Sequence, residues 1–324
     1  MKINGHAHIF TLQSVLSQEA IRIMAGRLRK MGFRDFIVDA VADVLQQHLL
    51  RPEYLVEEEL LKRFVTAMLR SPNLKQLSAQ LPFGVLIQGN TDLLPTRALQ
   101  AILDKLSSWI DGRDGPGKSP FDVLQTLRIA MQPSIPQVAG SMLKHLGPDD
   151  AIVALMMDIV AKDEPVRDRR NFLNQIAGTQ QAALAYPGRV FPFIAVNPTR
   201  PDHLDLMKDA IEKRGFAGVK LYPSLGYEID TPFIHEVARY CERESVPITV
   251  HTTATGFAKD QPASLFAHPK HWMKVLEAFP DLDVLVGDET YLGRACAAGA
   301  AGSICGAANV APERIGRASC RERV

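Results

Sequence analysis

From Asp150 onward the chain alternates short, unbroken apolar runs with amphipathic segments, and this rhythm constrains the fold more than any other feature. Ala151 to Ile159, Arg189 to Val196, Gly218 to Pro223, Pro247 to His251 and Asp283 to Gly287 read as strands. Segments near Arg167 to Ala185, Pro201 to Arg214, Thr231 to Glu244 and Pro269 to Phe279 carry apolar residues at helical spacing. Strands that are apolar on both faces belong in buried parallel sheets, joined by right-handed helical crossovers. Strand-helix units repeated this often predict an α/β chain with a TIM-like (β/α) barrel; a doubly wound open sheet is the alternative.

A further strand opens the chain at Ile3-Asn4-Gly5-His6-Ala7-His8-Ile9-Phe10. Residues i and i+2 of a strand point to the same side, so His6 and His8 aim two imidazoles into one space. Imidazole is the commonest metal-binding side chain near neutral pH, and the pair makes half a metal site. By chance alone, His-x-His also occurs in surface loops. Asp158, Asn197, Lys220, Tyr222 and His251 likewise fall at or just past the C-terminal ends of strands, where barrel enzymes keep their chemistry. Each has a plain structural reading beside the functional one. Asp158 caps a loop, Lys220 is a paired charge in the barrel interior, and His251 is a satisfied core histidine.

Between the first two strands, residues 14–148 read as mostly helical. Gln18 to Met31, Phe36 to Leu50, Glu57 to Leu69 and Thr96 to Trp109 show helical periodicity, and Asp111 to Gly117 is the clearest loop. The expected organisation is a barrel formed by residues 1–13 and 149–313, a helical insertion over 14–148 capping one face, and a tail over 314–324. The insertion reads equally as a lid or a dimer surface, which leaves a homodimer open.

With 37 basic and 36 acidic residues, the chain carries no electrostatic footprint for nucleic acid or an anionic membrane. No apolar run approaches the roughly 20 residues that span a bilayer. Polar Asn4, His6 and His8 interrupt any signal-peptide core at once. The four cysteines, Cys241, Cys296, Cys305 and Cys320, show no Cys-x-x-Cys spacing. A reducing cytoplasm is therefore the default expectation, with a small molecule as the substrate.

Several segments together resemble the amidohydrolase superfamily, in particular its mononuclear hydrolases and aminocarboxymuconate-semialdehyde-type decarboxylases. They are Asn4 to His8, Met156 to Asp158, Pro192 to Pro198, Gly215 to Pro223, Pro247 to Thr252, and His271-Trp272 through Leu282. The resemblance implies a barrel with a divalent metal, often zinc, and makes His6, His8 and His251 its ligands. The family completes the set with an aspartate after strand eight and adds a histidine after strand six. Three protein ligands and an open position lower the pKa of bound water toward about 7, so that a metal-bound hydroxide attacks a small amide, ester or lactone. In the decarboxylase branch the metal instead orients an unsaturated or aromatic acid. A carboxylate-binding arginine beside the metal would mark that branch, and Arg200 is the nearest candidate. Lys220 sits where binuclear relatives carry a carbamylated bridging lysine, although Gly218 to Pro223 looks more like the mononuclear branch. Lys220 and Asp288 are the candidate catalytic residues. Asp158, Asn197 and Tyr222 are the candidate substrate-binding residues.

The C-terminal part departs from this pattern. Asp288 occupies the place of the strand-six histidine, where a carboxylate could substitute as a ligand. Residues 284–313 are similar to the last strands of the dihydrodipicolinate synthase group, and Gly316 to Val324 looks like an adapter-derived tail. Strands are expected near residues 3, 152, 190, 218, 247, 283 and 303, leaving no room for an eighth. The barrel is thus expected to be incomplete at its C-terminal end. An inactive chimeric or truncated barrel stands beside the two enzymatic readings.

Overall fold

The structure is a computed structural model that describes residues 2–30, 32–51, 54–70, 128–159, 169–252, 264–282, 285–286, 297 and 302–303. It divides into two compact units, Met1–Val15 with Ser134–Val324, and Leu16–Pro133.

In the first unit, strands β1 (Ile3–Ala7), β2 (Ala151–Leu155), β3 (Val190–Val196), β4 (Gly218–Leu221) and β5 (Ile248–Val250) form one sheet in sequential order. Every neighbouring pair is parallel. A doubly wound sheet reverses its strand order at a switch point. This sheet keeps one direction of winding throughout, as a barrel does, and forms a partial TIM-like barrel. Two further short strands, β6 (Leu285–Val286) and β7 (Gly302–Ser303), pair with each other in parallel.

The sequence explains these elements locally. All residues of β4 are buried, as are all but Phe191 in β3, which suits strands covered on both faces. Gly218 lies in register with Phe193. A Cβ there would meet the Phe193 ring at 2.4 Å, so the close approach of β3 and β4 requires glycine. The crossover helix His203–Arg214 stops at Gly215, whose left-handed φ of 72° an L-residue adopts only with strain. The helix Pro232–Arg243 starts at Thr231, whose side chain accepts from the Ile234 N–H, with proline in the first turn.

A helix at Ile135–Leu143 falls inside the 14–148 stretch expected of the insertion, yet it belongs to this first unit. Its Ile135, Val138, Ala139 and Leu143 bury against Ala7, Ile152, Ala154 and Val190 of the sheet. That apolar cluster roots β1 and β2.

The second unit is helical where described. Helices Gln18–Lys30, Asp35–Leu50 and Glu57–Arg70 pack in succession around Ile21, Phe36, Val41, Leu45, Leu60 and Phe64. The Ser17 hydroxyl caps the first of them at the Ala20 N–H, and Glu57, Glu58 and Glu59 complement the positive end of the third. The sequence-predicted helix at Thr96 to Trp109 and the loop at Asp111 to Gly117 lie outside the described residues. Among those described, no helix is long and apolar enough to cross a membrane.

Candidate functional site

Because all five strands run the same way, their C-terminal ends meet at one edge, and the sequence-predicted site residues can be placed there one by one. β1 delivers His6 within the strand and His8 just after it. The strand is not regular. Ile3 and Asn4 pair with Ala151 and Ile152, but Ala7 pairs with Ala154, so the register slips between Asn4 and Ala7. The buried Asn4 side chain occupies this irregularity and accepts the His6 backbone N–H at 3.0 Å. A bulge of this kind re-aims side chains.

The outcome is convergence. The Nε2 atoms of His6 and His8 stand 3.2 Å apart, with the rings edge to face at 74°. Two nitrogens bound to one tetrahedral zinc at about 2.0–2.1 Å would be about 3.3–3.4 Å apart. Their spacing is therefore that of one edge of a coordination tetrahedron. His8 Nδ1 lies 2.9 Å from the Leu155 carbonyl at the end of β2. A carbonyl can only accept, so Nδ1 carries the proton and Nε2 presents its lone pair, the arrangement typical of metal-bound histidine.

Electrostatics keep both rings neutral, as ligation requires. Burial pulls His6 down to about 4, helped by the Lys220 charge. Burial, then Lys220 and His6, pull His8 down to about 3, against the opposing Leu155 carbonyl. Alternation along the paired strands puts Lys220 on the same face of the sheet as His6 and His8. Lys220 itself is 1% exposed, and its Nζ has no hydrogen-bond partner among the described residues. Burial lowers its amine to about 8.

His251 follows β5, tied to β4 by its N–H donating to the Leu221 carbonyl at 3.0 Å. Its ring stacks on Tyr222, with centroids 4.1 Å apart and planes tilted 32°. Its charge reaches His8, but it does not complete a ligand set. Among the described residues, no group of three or more His, Cys, Asp or Glu is placed to hold a metal. The His6–His8 edge fits a divalent ion; the three-histidine set implied by the resemblance is not assembled. Asp288 lies outside the described residues.

The remaining candidates already have protein partners. Asp158, three residues beyond β2, accepts two bonds from Arg200: Nη2 to Oδ1 at 2.6 Å, and Nε to Oδ2. Both side chains are 5% exposed, and the Arg200 guanidinium lies 4.5 Å over the Phe172 ring. Arg200, the candidate marker of a decarboxylase, is thus engaged by an internal carboxylate. Asn197, buried just past β3, donates to the Asp158 carbonyl at 3.3 Å and accepts from Thr199 N–H and Oγ1. It organises the turn after β3. The Tyr222 N–H donates to the Tyr227 hydroxyl at 2.6 Å, behind the His251 stack.

Sequence reasoning missed Gln175, Tyr227 and the Leu155 carbonyl. Gln175, fully buried, accepts from Met157 N–H and donates to the carbonyls of Met157 and Ser14, pinning the loop after β2. Its one signal is an amide on the apolar face of a crossover helix. A backbone carbonyl leaves no signal.

With the geometry established, comparison with known proteins is informative in one place. A family model described as amidohydrolase matches residues 140–287, a little under half of the chain, spanning β2 to β6. No curated protein matches the chain. A solved structure described as amidohydrolase II aligns at 12% identity with a TM-score of 0.35. That alignment covers 58% of this chain, which spans 64% of the length of the other.

Proposed function

We propose that this chain is a metal-dependent hydrolase of the amidohydrolase type, acting on a small carbonyl compound such as an amide, ester or lactone. The observation that carries the reading is the 3.2 Å convergence of the His6 and His8 Nε2 atoms, at the catalytic edge of a parallel sheet. The amidohydrolase match over residues 140–287 supports it independently, because that segment does not include the histidine pair.

His6 and His8 would hold the ion, with His251 the candidate third ligand. A divalent metal, zinc by its fit to paired imidazoles, would supply Lewis acidity at a carbonyl and an acidified water. The protein's own residues do the rest. The Leu155 carbonyl fixes the His8 tautomer, and Asn4 holds the bulge that turns His6 toward it. Tyr222 restrains the His251 ring, and Lys220 supplies a buried positive charge.

The test is metal content of the purified chain after equilibration with zinc and dialysis, followed by a screen of amide, ester and lactone substrates. One equivalent in the wild type, lost in His6→Ala and His8→Ala, is expected. A wild type that retains no metal refutes the reading.

A further inference from the structure

Three basic side chains, those of His6, His8 and Lys220, share one face of the described sheet end. His6 and His8 converge there, and Lys220 is close enough for its charge to act on both. The Lys220 Nζ is buried without a hydrogen bond to any described residue. Asp158, the acid that follows β2, is already bound through both oxygens by Arg200. A buried ammonium is costly unless something meets it, and buried charges in proteins are paired or ligand-bound.

The register explains why the lysine cannot escape. Lys220 pairs with Ala195 on β3 and Thr249 on β5, so it belongs to the central part of the sheet. Its flanking residues Val219 and Leu221 are both fully buried. The stem is packed, and the amine is fixed on the side of the sheet where the histidines meet.

We propose that Lys220 is the recognition group for a carboxylate on the substrate, so that the natural substrate is a carbonyl compound that also carries a free carboxylate. This deepens the hydrolase reading and rests on it for the word substrate; the anion site itself depends only on Lys220. Among the described residues with the metal removed, a monoanion matches the one ammonium, Lys220, that shares the histidines' face. A phosphate dianion would bring a second negative charge, and Arg200, the described arginine nearest in the sequence to the C-terminal strand ends, is engaged by Asp158. The half-buried His6 shares the face of the sheet that carries the amine, which would place a bound carboxylate on the side of the reacting centre.

The experiment compares isosteric probe pairs on the full chain: benzoate against benzamide, and acetate against acetamide, by calorimetry at neutral pH. The protein is first freed of metal with a chelator, so that an ion cannot hold the probe. At least one carboxylate should bind about tenfold or more tightly than its amide, the size of one charge-assisted hydrogen bond. Lys220→Met should abolish that preference, and Lys220→Arg should keep part of it. The proposal is overturned if the metal-free wild type shows no preference, or if Lys220→Met retains it. Metal content, measured separately, decides the hydrolase reading. Failure of one therefore leaves the other standing.

Discussion

Replacing Arg200 with methionine tests whether the buried ion pair beneath the sheet end holds the site together. Arg200 and Asp158 are each 5% exposed, and two charge-assisted bonds join them. Methionine keeps the stem against Phe172 but leaves the Asp158 carboxylate buried without its cation. Breaking such a pair from one side costs about 3–5 kcal/mol. The penalty depends on pH, and its sign can be worked out. Burial drives the Asp158 carboxyl upward, and the bonds from Arg200 oppose it. In the variant only the upward drive remains, so the folded state holds its proton to higher pH than the unfolded chain. The penalty is therefore smallest below the unfolded carboxylate value, about 4, and grows as pH rises through the folded one. Urea melts of Arg200→Met, Asp158→Leu and the double variant, from pH 4 to 8, supply the measurement. Each single variant should lose about 3–5 kcal/mol at pH 7. The double variant should recover most of that loss, because an apolar pair of similar volume replaces a buried ion pair at little cost. A single-variant loss under about 1 kcal/mol at pH 7, or losses that simply add, refutes the reasoning.

Gly218→Ala forces a Cβ against the Phe193 ring and should destabilise the sheet by about 1–3 kcal/mol in urea melts, a loss that Phe193→Leu in the same chain should relieve. Asp150 accepts from the N–H groups of Lys2 and Gly147, which hold its carboxyl below the ordinary value of 3.8. Its contribution is present above that value and fades as the pH falls through the folded one. The stability gap between wild type and Asp150→Ala should therefore narrow between about pH 5 and pH 3, and a gap that widens on acidification would rule out this role. Tyr227→Phe removes the acceptor of the Tyr222 N–H and should cost about 1–3 kcal/mol of stability, with fluorescence at Tyr222 reporting the loosened His251 stack. Asn4→Ala frees the His6 N–H and should weaken zinc binding about 10- to 100-fold by calorimetry, with circular dichroism unchanged.

The strands were legible because burial on both faces writes itself into sequence as unbroken apolar runs. The expected run at Ala151 to Ile159 is a strand only to Leu155. Its remainder is a loop whose apolar residues are buried by packing, with Gln175 satisfying both polar groups of the Met157 backbone. Local periodicity cannot separate a buried loop from a buried strand, because both present apolar side chains to a core. Where it is described, the 14–148 stretch is mostly helical, and its periodicity did not divide it between the two units. The apolar face of Ile135–Leu143 fits a sheet as well as it fits other helices.

At the site, the sequence located side chains but not their partners. Asp158 and Asn197 follow the ends of β2 and β3 and Lys220 lies within β4, yet those three have different fates. Arg200, 42 residues from Asp158 in sequence, reaches back to it and converts a candidate substrate contact into a buried ion pair. Asn197 is consumed by its own turn. Lys220, of the three, keeps a buried polar atom that no described residue bonds. The expected same-side geometry of His6 and His8 assumed a regular strand, and β1 is irregular at that place. What brings the two Nε2 atoms within one coordination edge is the slip in register at Gly5 and His6, with Asn4 closing on the His6 N–H. A glycine inside an apolar strand is the sequence mark of such a bulge. Gly5 between Asn4 and His6 is thus as much a part of the proposed centre as the histidines it positions.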